Sequence, residues 1–135
     1  MRSFANKVAD RPAARVLAVD DHRPFLTVVR ELLPATRFLE CVGEAGSGEE
    51  AVEVARSLLP DVVLMDVRMP GLGGVAAAKQ IKERRPSTLV VLISTARRDE
   101  LALDGTEVFV DAFVRKGDLG PKLLDQLWTR HVDLA

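Results

Sequence analysis

The sequence has a single cysteine, Cys41, so no internal disulfide framework can form, and the composition fits a reducing, cytoplasmic compartment. Excess charge is also lacking. The formal net charge is -1, which gives no overall field for nucleic acid or for an anionic membrane surface. No apolar run approaches the ~20 residues needed to cross a bilayer. The basic N-terminal stretch, residues 1–14, lacks the apolar centre of a secretory leader and reads as a tail. Internal repeats and low-complexity stretches are missing too.

What remains is a globular balance. The 135 residues are 47% hydrophobic and 29% charged, the size and composition of one domain. Such a chain buries roughly two-thirds of its unfolded surface, enough for a core without staples.

Apolar runs alternate with helical patterns along the chain. Residues 15–20 (RVLAVD) read as a buried strand, and 24–33 as a helix, with Phe25, Val28, Val29, Leu32 and Leu33 at helical spacing. Pro24 suits a first helical position and Pro34 stops the pattern. Residues 38–44 read as a second strand, where Cys41 is expected to be buried. Ser47 and Glu50 then form a capping-box signature for a helix closed by Pro60. Residues 61–66 (DVVLMD) form a third strand, 67–73 a Pro- and Gly-rich loop, and 74–85 a third helix. Residues 88–94 (TLVVLIS) form the most apolar strand, 109–115 a fifth strand, and 121–131 a last helix carrying Leu124, Leu127 and Trp128. Residues 97–108 should be the fourth helix by position, yet Gly105, Thr106 and Val108 are poor helix formers, so that helix is expected to be short, frayed or displaced.

The alternation predicts an α/β fold: a doubly wound (βα)5 parallel sheet with helices on both faces and right-handed crossovers. Ligands of such sheets sit outside the carboxyl ends of the strands, where strand order reverses. Those ends collect Asp20 and Asp21, Asp66, Ser94 and Thr95, and Arg115 and Lys116. Carboxylates this close repel: one pair at about 4 Å costs roughly 4 kcal/mol at an effective dielectric near 20. A compensating cation is therefore expected, and oxygen-only ligands with a need for phosphate contact favour Mg²⁺. Lys116 can pair with Asp66 or with an arriving phosphoryl oxygen, and Ser94 offers a hydroxyl to the same oxygen. Such a set suits phosphoryl transfer to a carboxylate nucleophile.

The stretches VDDHRPF (19–25), LMDVRMPGLGG (64–74), VVLIS (90–94) and VRKGDL (114–119) resemble the receiver domains of two-component response regulators, over about residues 15–130. The resemblance is strongest to receivers of the NarL type. Ser94 follows Asp66 by 28 residues and Lys116 follows Ser94 by 22, spacings found in that group. The resemblance implies a flavodoxin-like fold with strand order 2-1-3-4-5. It implies Asp66 as phosphoacceptor and Asp20, Asp21, Asp66 and the backbone carbonyl of Arg68 as the Mg²⁺ site, with Asp21 binding directly and Asp20 directly or through a water. Ser94 and Lys116 would contact the phosphoryl group, and Phe113 would be the aromatic that turns inward on activation. Thr95 stands where the family usually has a smaller residue and would restrict access to the phosphoryl group.

The implied partners are a sensor histidine kinase or phosphotransfer protein, a downstream protein read by the face of the fourth helix, fifth strand and fifth helix, and a second copy in a dimer. Direct DNA binding and membrane attachment are not expected of this chain. Its opening Met and its ending soon after the last helix suggest a stand-alone receiver spanning 15–131, with a short tail at 132–135. The expected role is signalling and not turnover of a separate substrate. A metal-dependent phosphatase would place a second Asp where Arg68 stands, and the acidic loop after the first strand would repel a flavin phosphate.

Overall fold

A computed structural model describes residues 11–96 and 109–134. The elements are β1 (Ala14–Val19), α1 (Arg23–Leu32), β2 (Leu39–Ala45), α2 (Gly48–Leu58), β3 (Val62–Asp66), α3 (Gly74–Arg84), β4 (Leu89–Ser94), β5 (Ala112–Arg115) and α4 (Pro121–Leu134). Short 3-10 turns span Leu33–Ala35 and Lys116–Asp118. The strands form one parallel sheet in the order β2-β1-β3-β4-β5, as expected.

Strand residues alternate between two cores. Val16, Ala18, Val62, Leu64, Val91 and Ile93 pack with Leu26 and Val29 of α1 and with Leu124, Trp128 and Val132 of α4. Leu17, Val19, Val63, Met65, Val90 and Leu92 pack with Ala51 and Ala55 of α2 and with Ala77, Ala78 and Ile81 of α3. Because both faces are covered, β1, β3 and β4 read as continuous apolar runs. Trp128 is thus a core residue.

Local differences from the expected elements have identifiable causes. α1 begins at Arg23, one residue before Pro24, with His22 at its N-cap, and it passes into the 3-10 turn that contains Pro34. At α2, Ser47 Oγ accepts from the Glu50 N–H at 3.1 Å, but the Glu50 carboxylate reaches the Gly46 N–H instead of closing the box on Ser47. β5 starts at Ala112 and not at Phe109. Its ladder is preceded by Asp111, whose carboxylate accepts the Val90 N–H at 2.7 Å and pairs with Lys82 Nζ at 2.7 Å. That side chain takes the donor a longer strand would have used. Phe109 instead packs against the second core, 5.7 Å from the Lys79 ammonium. α4 continues past His131 because Val132 is a core residue, and β1 already includes Ala14. Cys41 is only half-buried, and burial pushes its thiol pKa up. The expectation of an irregular fourth helix concerns residues 97–108, which lie outside the described residues.

Candidate functional site

The site lies where strand order reverses. β2 lies on one side of β1 and β3 on the other, so the segments leaving β1 diverge at its carboxyl end. Val19 is paired with Met65, so the next residues, Asp20 and Asp66, stand side by side at adjacent strand ends. Ser94 closes β4 opposite Arg115 of β5, and Lys116 follows directly.

The structure brings the three acids together: Asp20, Asp21 and Asp66 each offer an oxygen, and these oxygens all lie within 4.8 Å of one another. Asp20 and Asp66 are buried, whereas Asp21 faces solvent. Asp20 divides its carboxylate between two tasks. Oδ1 accepts the His22 N–H at 2.8 Å, which turns the chain into α1. Oδ2 is buried without a well-angled hydrogen bond and meets the Lys116 ammonium as an ion pair at 2.7 Å. Lys116, for which the sequence offered Asp66 or an arriving phosphoryl oxygen as partner, thus forms its ion pair with Asp20, while its charge still acts on Asp66. The same ammonium lies 4.4 Å from the centroid of the Phe25 ring.

Asp66 titrates above the ordinary carboxylate range. Burial is the main cause, and the neighbouring charges of Asp20 and Asp21 add to it. The nearby Lys116 charge and a hydrogen bond from the Arg68 N–H work in the opposite direction. Three carboxylates offering oxygens within 4.8 Å of one another form an oxygen-only set that suits a hard divalent cation.

Ser94 is buried at the end of β4, and its Oγ accepts the Ala96 N–H at 3.0 Å, leaving the hydroxyl hydrogen free to donate. Thr95 is exposed beside it. Phe113 is half-buried against the second core, opposite Leu92. Arg68 is exposed in the loop after Asp66. That loop is held from α2, where the Glu49 carboxylate accepts the Leu72 N–H and flanks Gly71, a left-handed residue at φ +74°. At the loop's end the chain passes so close that a Cβ at Gly74 would collide with the Asp66 carbonyl oxygen.

Sequence reasoning missed the site contacts of Phe25 and Glu49. Phe25 signalled only core packing and Glu49 only a helix start. A polar groove opens beside the acids, lined by Asp21, Arg23, Thr27, Glu44 and Glu50 among others. The cavity between α2 and α3, near Leu59, Ile81 and Arg85, contains none of the predicted site residues. No helix among the described residues is long and apolar enough to cross a membrane.

Comparison with known proteins agrees with this architecture. The chain is 39% identical over 103 residues to the response regulator GacA of Pseudomonas viridiflava, covering 76% of this chain and 48% of that protein. It is 30% identical over 115 residues to the nitrate/nitrite response regulator protein NarL of Escherichia coli strain K12, covering 85% and 53%. The chain thus spans about half the length of the curated relatives it matches. The response regulator domain of Thermotoga maritima CheB superposes with a TM-score of 0.78 at 28% identity, covering 91% of this chain and 98% of that one. Residues 16–127 match the response regulator receiver domain family, and with the acids, Ser94 and Lys116 gathered at the switch point of the 2-1-3-4-5 sheet, this chain belongs to that family.

Proposed function

We propose that this receiver domain takes a phosphoryl group from a sensor histidine kinase, or from a phosphotransfer protein, onto Asp66. The observation that carries this reading is the convergence of three carboxylate oxygens within 4.8 Å beside a lysine. Asp20, Asp21, Asp66 and the Arg68 carbonyl would hold Mg²⁺, which supplies charge neutralisation for the phosphoryl oxygens when bound. An Asp66 carboxylate oxygen forms the new O–P bond as the P–N bond of the donor phosphohistidine breaks, and the imidazole leaves with its electron pair. Lys116 moves from Asp20 toward the incoming phosphoryl oxygens, and the Ser94 hydroxyl donates to one of them.

The phosphoryl group adds about -1.5 to -2 charge and three acceptor oxygens. Ser94 and Lys116 respond to it, Phe113 repacks, and the surface around β5 and α4 changes its preference for a downstream protein or a second copy. On this reading the domain promotes its own phosphorylation and dephosphorylation in the cytoplasm and turns over no separate substrate.

Intact-mass spectrometry after incubation with Mg²⁺ and a small acyl phosphate tests the reading. A single phosphoryl adduct on the wild type, absent from Asp66→Asn and from chelator-treated protein, is the expected result. No adduct under conditions that label another receiver would overturn it in favour of a receiver-fold interaction module that is not phosphorylated.

A further inference from the structure

We infer that Phe25 is a positioning residue for Lys116: its ring face keeps the ammonium at the acidic site when the Asp20 carboxylate is drawn to a metal. This rests on the proposed phosphoryl-acceptor reading, which it extends to a residue outside the predicted set.

Lys116 opens a short 3-10 turn just beyond β5, and its side chain has four flexible carbons to hold in place. Two groups hold the ammonium: Asp20 Oδ2 at 2.7 Å and the Phe25 ring, with its centroid at 4.4 Å. The two differ in kind. Asp20 belongs to the acid set that would bind a divalent cation, and a cation held there would draw its carboxylate away from Lys116. An aromatic face attracts a cation through its quadrupole and has no affinity for a strongly hydrated Mg²⁺, so that contact survives.

Phe25 is also a rigid platform. It sits in the first turn of α1, its N–H bonds the His22 carbonyl at 3.0 Å, and its ring packs against the core that contains Leu26 and Val29. The helix that carries Phe25 begins where the Asp20 turn ends, so the acid and the ring keep a fixed separation.

The test compares the full chain with Phe25→Leu, which retains apolar bulk without a π face, and Phe25→Tyr, which retains the ring. The first readout is the NMR shift of the Lys116 ε-methylene protons, which a ring beneath the ammonium moves upfield. That shift is expected in wild type and Phe25→Tyr, with and without Mg²⁺, and not in Phe25→Leu. The second is the rate of phosphorylation by an acyl phosphate, expected to fall about threefold to tenfold in Phe25→Leu and to be restored in Phe25→Tyr.

Lys116 protons at their solvent-exposed position in Mg²⁺-loaded wild type would overturn the inference. So would equal phosphorylation rates in wild type and Phe25→Leu. A wild type that accepts no phosphoryl group would instead defeat the Asp66 reading, and the NMR shift would then decide the Phe25 contact by itself.

Discussion

Lys116 Nζ lies 2.7 Å from Asp20 Oδ2, so the resting partner of this lysine is the buried acid after β1 and not the acid at the end of β3. The pair closes a site that otherwise holds three carboxylates and little to neutralise them. On the proposed metal-binding reading, a divalent cation and Lys116 would compete for the same carboxylate.

Removing the lysine therefore has a metal-dependent cost. Lys116→Ala leaves Asp20 charged, buried and unpaired, which is expected to destabilise the metal-free fold by about 3 kcal/mol. Excess Mg²⁺ should restore most of that loss, and Mg²⁺ should bind the variant more tightly than the wild type. Thermal denaturation with chelator and with Mg²⁺ checks this. An equal loss under both conditions would show that the pair does not share its site with a metal.

The raised pKa of Asp66 gives a pH signature in chelator-treated protein. Burial and the charge of Asp20 make the native state hold the Asp66 proton more tightly than the unfolded chain does. Between the ordinary carboxylate pKa and the raised native one, the native state binds more protons, so this group's contribution to stability falls as pH rises through that window. Asp66→Asn removes the effect. The variant should be more stable than wild type above the window, with the difference vanishing below the ordinary carboxylate range. Denaturant unfolding across pH measures it, and a difference that grows toward low pH would contradict the sign.

The loop after Asp66 depends on Gly71 and Glu49. Gly71→Ala forces a side chain into the left-handed region at φ +74° and against the Glu49 carboxylate, at a cost of about 1 kcal/mol. Glu49→Ala loses the hydrogen bond from Leu72, whereas Glu49→Gln keeps an acceptor. Since the same loop carries Arg68, calorimetric Mg²⁺ affinity should fall in Gly71→Ala and Glu49→Ala and stay near wild type in Glu49→Gln. Unchanged affinity in all three would separate the loop from the metal.

Leu59 ends α2 in the left-handed conformation, at φ +47°, and the residue is 48% exposed. Its carbonyl accepts from the guanidinium groups of Arg15 and Arg85, and those contacts survive replacement of the side chain. Leu59→Gly is expected to stabilise the fold by about 0.5–1 kcal/mol. A lower unfolding midpoint would mean that the exposed leucine contributes more packing than its surroundings indicate.

Thr95 is exposed next to the buried Ser94. If its bulk shields the phosphoryl group on Asp66, Thr95→Ala should shorten the lifetime of the adduct after the donor is removed. An unchanged lifetime would rule out the shielding.

The apolar runs of β1, β3 and β4, the helical spacing of α1 and α4 and the Ser47 cap were all legible in the sequence, because periodicity and capping are local properties. The start of β5 was not. Phe109–Arg115 has the composition of one strand, yet Asp111 captures Val90 and Lys82 from across the chain and postpones the ladder to Ala112. The end of α4 was misplaced for a similar reason: whether Val132 continues the helix depends on the core it meets.

The sequence by itself determined the alternating α/β order and the acids, serine and lysine at the strand ends, since both follow from which residues stand next to one another along the chain. Only the tertiary structure decided that Lys116 rests on Asp20 and Phe25, that Glu49 holds the loop at Leu72, and that burial pushes the pKa of Asp66 up. Those relationships are set by through-space distances and local solvation between residues far apart in the chain, and both arise when the sheet assembles and excludes water.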